Sequence, residues 1–192
     1  MKLLPSSLLL ALARGLTLAR LAGNPLFFWL LIITDREGSQ AWGTSLILLY
    51  LFMVLSDLLD GPLARMAGSP SALWGRVDVA ADIAFNTLSL SAAAWLGSVG
   101  PWVPAGVALL GGRFILRNWR SPAASEKGHA EDRAGKAAGV IYYLLVGAVA
   151  LELSVEGEAG RWAVARAGDA VTFYTLFVLL RKRAGVTTAS VS

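Results

Sequence analysis

Asp57, Asp60, Asp78 and Asp82 lie within 26 residues of a chain that is 56% hydrophobic and only 16% charged. Asp57 and Asp60 are three residues apart and Asp78 and Asp82 four apart, so on helices each pair projects from one face. An ionised carboxylate inside a membrane is costly, and four together repel one another unless cations sit among them. Divalent metal resolves that conflict. Two magnesium-type ions, bridged by carboxylates and by phosphate oxygens of a ligand, would neutralise the cluster and polarise a phosphoryl group for displacement. Gly61 lies one turn after Asp57 and Ala64 one turn after Asp60, which leaves the carboxylate face open to a ligand. Arg65 then offers a planar fork for phosphate. Acids that merely ended two helices in the headgroup layer would need neither the paired spacing nor the small neighbours.

The elements that must hold these acids follow from composition. A chain of 192 residues this apolar carries more hydrophobic surface than a soluble domain of its size buries, so lipid is its natural solvent. It has no cysteine, which excludes a disulfide framework and thiolate ligands. Any metal must be held by oxygen or by the single His129, a donor set that favours magnesium or manganese over zinc. The net charge of +4 fits basic loops facing anionic lipid better than nucleic-acid binding.

A bilayer core of about 30 Å takes roughly 20 apolar helical residues. Stretches of that kind fall near 15–34, 42–61, 75–97, 101–120, 137–155 and 160–180. The expected fold is therefore an all-α integral membrane protein with six transmembrane helices, and residues 1–192 form a single domain. Residues 4–13 read as a short interfacial helix, since Arg14 and Arg20 interrupt the apolar run and no small-residue cleavage site follows it. Of the 17 lysines and arginines, all but Arg36, Arg161 and Arg166 group with one face when the N-terminus is inside. Both termini are then cytoplasmic. The acid pairs fall at the cytoplasmic ends of the second and third spans, and a short loop would set them opposite each other. Trp95, Trp102 and Trp162 fall near the outer span ends as interfacial anchors.

The run from Asp57 to Arg65, with Asp60, Gly61 and Ala64 between, and the later pair Asp78 and Asp82 resemble the signature of the CDP-alcohol phosphotransferase family, D-x-x-D-G-x-x-A-R followed by G-x-x-x-D-x-x-x-D. Trp74 stands at the second glycine of that pattern, with Gly75 one position later. Thr17, Arg20 and Pro25 resemble the L-T-x-x-R and following proline of the family's first helix. The resemblance implies an enzyme of the inner (cytoplasmic) membrane, its active site facing the cytoplasm. It would move a phosphatidyl group from CDP-diacylglycerol to a polar alcohol and release CMP. It implies that Asp57, Asp60, Asp78 and Asp82 ligate Mg2+ or Mn2+, two ions in all, and that Asp82 is also the general base. Thr17, Arg20, Gly61, Ala64, Arg65 and Ser71 would contact the CDP-lipid, and the protein would be a homodimer. Pro62, directly after Gly61, should kink or end the second helix.

The acceptor must be read from the second half of the chain. Arg113, Arg117 and Arg120 recur along one face of the fourth helix and Lys136 opens the fifth, a cationic lining suited to an acceptor that carries its own phosphate. Snorkelling side chains at a cytoplasmic surface would give the same pattern. Arg113, Arg117 and Gly135-Lys136 loosely resemble phosphatidylglycerophosphate synthases, whose acceptor is glycerol 3-phosphate; inositol phosphate is an alternative. His129 reads as a solvated loop residue, and Arg166 and Asp169 as a structural ion pair. A non-enzymatic divalent-cation carrier would spread its acids through the depth of the membrane. Here they cluster at one end.

Overall fold

A computed structural model describes residues 5–68, 72–120, 133–155 and 157–187. Among them the chain is wholly helical: α1 (Ser6–Glu37), α2 (Gln40–Met66), α3 (Ala72–Trp95), α4 (Trp102–Arg120), α5 (Arg133–Ser154) and α6 (Glu158–Thr187). Four of these, α1, α2, α5 and α6, are long and apolar enough to cross a membrane. In α4 the apolar stretch is the shorter Trp102–Leu116. In α3, Asp78, Asp82, Asn86, Thr87, Ser89 and Ser91 lower the hydropathy.

That polarity is explained by where α3 sits. It packs against α1, α4 and α5, while Ala81, Phe85, Leu90, Ala92 and Ala93 are fully buried. A helix enclosed by other helices need not be apolar all round, because neighbours rather than lipid meet its polar groups. Large apolar side chains on the outer helices, among them Leu48, Leu58, Leu144 and Phe173, stay exposed, as expected of surfaces solvated by lipid.

Small residues set the helix spacing. A Cβ at Gly43 would stand 3.1 Å from the Ser154 backbone, where the Ser154 hydroxyl donates to the Gly43 carbonyl at 3.1 Å and ties α2 to α5. A Cβ at Gly111 would stand 2.6 Å from Ile83, so the α3·α4 contact depends on its absence.

One expectation is corrected and another narrowed. Residues 6–13 form no separate interfacial helix but run unbroken into α1, whose 32 residues extend about 48 Å. Nothing between Ala13 and Thr17 breaks a helix, and a lone Gly15 costs only about 1 kcal/mol. Of the two outcomes expected at Pro62, a kink or an end, the end is excluded: α2 continues to Met66. Proline removes one hydrogen bond, and the next turn is closed by Ala67 N–H to the Leu63 carbonyl at 3.1 Å.

The α1–α2, α3–α4 and α5–α6 connections gather at one end. There Arg161 lies 3.6 Å from Asp35 and 3.9 Å from Glu152 and donates to the Leu96 carbonyl at 3.1 Å. Ser98 donates to Glu152 at 3.2 Å. Trp95, Trp102 and Trp162 are exposed around this end. Arg166 pairs with Asp169 at 3.4 Å, as their spacing predicts. The four aspartates occupy the other end of the bundle.

Candidate active site

Asp57 and Asp60 lie in the last turns of α2, and Asp78 and Asp82 in the first turns of α3. The acid pairs face each other across the two helices, as their spacing predicts. What joins them comes from α1. Arg20 is fully buried, and its guanidinium reaches all four carboxylates. One terminal nitrogen, Nη1, bonds Asp57 and, at 2.5 Å, Asp82; the other, Nη2, bonds Asp78 and, at 2.8 Å, Asp60. Each nitrogen thus links one acid of α2 to one of α3, which divides the cluster into two cross-helix pairs.

Further residues fix the acids. Thr17, one turn before Arg20, donates to Asp60 at 3.3 Å. Tyr143 of α5 donates to Asp82 at 2.9 Å, and its ring stacks on Phe85 with centroids 5.3 Å apart. Asn86 donates to the Asp82 carbonyl at 2.9 Å. Tyr143 and Asn86 were not predicted from sequence. Tyr143 sits in an apolar run like any core aromatic, and its pairing with Asp82 exists only once α5 has packed on α3.

The carboxylates also fit a metal. Oxygens of Asp57, Asp60 and Asp78 lie within 4.8 Å of one another, an all-oxygen donor set of the kind magnesium and manganese take. Arg20 brings one positive charge to four carboxylates, so the cluster has capacity for more cation. The guanidinium's Nε is itself buried and unpartnered.

Beside the acids lies a cavity of about 210 Å³, lined by one face from each of three helices. Leu10, Ala13, Arg14 and Thr17 come from α1; Asp60, Gly61, Ala64 and Arg65 from α2; Trp74, Gly75 and Asp78 from α3. The side chain of Arg65 folds back over Gly61, where a Cβ would stand 3.4 Å from its Nη1.

The sequence model of the CDP-alcohol phosphatidyltransferase family matches residues 10–189. The chain belongs to that family. It is also 40% identical over 88 residues to a protein of Streptomyces coelicolor named cardiolipin synthase (CMP-forming). That match covers 46% of this chain and 40% of the relative, so this chain matches under half of the relative's length. No solved structure matches the chain significantly.

Of the residues expected to serve this CDP-alcohol phosphatidyltransferase fold, Asp57, Asp60, Asp78, Asp82, Thr17 and Arg20 form one bonded cluster. Gly61, Ala64 and Arg65 line the cavity beside it. Arg20, expected at the CDP-lipid, lies among the acids instead of on the cavity wall. Arg113 and Lys136 are exposed and form no hydrogen bond or ion pair among the described residues, and neither lines the cavity. Ser71, the side chain of Arg117 and His129 lie outside the described residues.

Proposed function

We propose that this family member transfers the phosphatidyl group of CDP-diacylglycerol to the hydroxyl of a phosphate-bearing alcohol, glycerol 3-phosphate first among them, and releases CMP. The observation that carries this reading is the junction of α2 and α3. One buried guanidinium holds all four carboxylates, and two of them, Asp60 and Asp78, open onto a cavity that Gly61 and Ala64 also line.

Asp57, Asp60, Asp78 and Asp82 would hold Mg2+ or Mn2+, and the two cross-helix pairs marked by Arg20 suit two ions. Bound there, the metal supplies charge neutralisation and Lewis-acid polarisation of phosphate. The chain's own residues do the rest. Thr17, Gly61, Ala64, Arg65 and Ser71 bind the nucleotide and its phosphates, and Arg20 reaches them from the side of the acids. Asp82, oriented by Tyr143, takes the acceptor's hydroxyl proton while the new O–P bond forms and the bond from phosphorus to the CMP oxygen breaks. CMP departs with that electron pair.

Arg113, Arg117 and Lys136 receive the acceptor's phosphate. Lys136 supports this reading because it stands two turns from Tyr143 on the same face of α5, the face that meets Asp82. A second reading has a specific observation behind it. The identity to a CMP-forming cardiolipin synthase favours an acceptor glycerol carried on a lipid phosphate.

The functional protein on this account is a homodimer in the inner membrane, with six spans and both termini cytoplasmic. The basic ends of α1, α4, α5 and α6 support that orientation, because they share the end that holds the acids. The test is CMP release from CDP-diacylglycerol in detergent with magnesium or manganese. Glycerol 3-phosphate, phosphatidylglycerol, inositol phosphate and serine are each offered as acceptor. Release with a phosphate-bearing acceptor and not with serine supports the reading, and release with serine alone contradicts it.

A further inference from the structure

We propose that Trp74 is the platform on which the nucleobase of the CDP-lipid stacks, with the Arg14 guanidinium giving way to the base. The inference rests on the reading above that a nucleoside diphosphate occupies the cavity beside the acids.

The cavity has two chemically distinct ends. Asp60, Asp78 and Thr17 form a polar end suited to metal and diphosphate. Leu10, Ala13, Ala64 and Trp74, a turn or two further along their helices, give the other end an apolar surface, beside which the Arg14 and Arg65 cations also line the cavity. Trp74 precedes Asp78 by four residues, so it projects from the same side of α3 about 6 Å further along the axis. A nucleotide likewise separates its charged phosphate from its flat apolar base by one sugar. The indole is only half-buried, and Arg14 from α1 lies over the ring with its Cζ 5.3 Å from the centroid.

Magnitudes decide which group holds the ring. A cation over an aromatic face at an exposed site contributes about two- to fivefold in an equilibrium constant. A base stacked on an aromatic side chain contributes roughly five- to 150-fold. The base therefore displaces Arg14 from the indole. Arg14, exposed and otherwise unpaired among the described residues, is free to swing toward the phosphates. The resembled signature has glycine at this position and makes no such contact. The tryptophan thus substitutes an aromatic surface for an open floor.

The test titrates manganese-loaded wild-type protein, Trp74→Ala and Trp74→Phe in detergent with CMP and, separately, with inorganic pyrophosphate, by calorimetry. Trp74→Ala is expected to weaken CMP about 10- to 100-fold while pyrophosphate stays within about twofold, which also shows that the variant is folded. Trp74→Phe should retain CMP within about fivefold of wild type. CMP binding that is unchanged or tighter in Trp74→Ala overturns the platform and leaves the transferase reading standing, because the indole would then be an obstruction. A wild-type protein that binds no CMP overturns both.

Discussion

A guanidinium among four carboxylates is tolerable in an apolar bundle only because the opposite charges offset part of each other's burial cost. Removing one partner of a buried ionic cluster costs about 3–5 kcal/mol. Arg20→Met should therefore lower the melting midpoint of metal-free protein by roughly 10 °C. Manganese should restore most of that loss, because it neutralises the same acids. A midpoint insensitive to manganese in Arg20→Met would contradict the placement of metal among Asp57, Asp60, Asp78 and Asp82. Tyr143 acts one step further out, through its hydrogen bond to Asp82. Tyr143→Phe removes a hydrogen bond to a charged group, a contribution of about 1.5–3 kcal/mol. It should lower kcat at least tenfold and leave the KM for CDP-lipid within about twofold. A change confined to KM would place Tyr143 in substrate binding instead.

At the scale of the elements, the site depends on how closely α4 and α2 approach their neighbours. Gly111 and Gly112 are adjacent in α4, yet a Cβ at Gly111 meets Ile83, next to Asp82, while one at Gly112 meets nothing within 4 Å. Gly112→Ala should be neutral or stabilising by about 0.5–1 kcal/mol, since alanine favours helix. Gly111→Ala forces Ile83 aside, at about 1–3 kcal/mol for overpacking. It should also reduce turnover, as read from a detergent melt and CMP release measured on the same preparations. Equal behaviour of the two variants would contradict the packing described. The acid pairs and their antiparallel facing were legible in sequence, because i,i+3 and i,i+4 spacing is a local property of a helix. Arg20 was legible only as part of a resemblance. Its bonds to all four acids, like that of Tyr143 to Asp82, are contacts between distant helices that no local spacing encodes. Likewise, the continuity of α1 through residues 6–13 was hidden by Arg14 and Arg20, which read as an interruption of an apolar span. In the fold, Arg20 points into the bundle and the helix runs on.

Taken whole, the molecule divides into two ends. At one end Arg161 ties together Asp35, Glu152 and the Leu96 carbonyl. At the other lie the four aspartates and, among the described residues, Arg14, Arg20, Arg65 and Arg76. The absence of cysteine makes the orientation directly measurable. Ser39→Cys, in the α1–α2 turn, should react with an impermeant maleimide from outside the cell. Met66→Cys, at the exposed end of α2, should react only from the cytoplasmic side. Labelling in the opposite sense would invert the proposed topology. The central claim is that the four aspartates hold metal for phosphatidyl transfer, with Asp82 taking the acceptor proton. It is tested most directly by comparing CMP release from CDP-diacylglycerol by wild-type protein and Asp82→Asn, with manganese and glycerol 3-phosphate or phosphatidylglycerol. Wild type is predicted to release CMP only when both metal and acceptor are present. Asp82→Asn is predicted to lose at least about 100-fold in rate while still binding the CDP-lipid in a manganese-dependent way. No release by wild type under conditions where another member of the family is active, or equal rates in the two proteins, would contradict it.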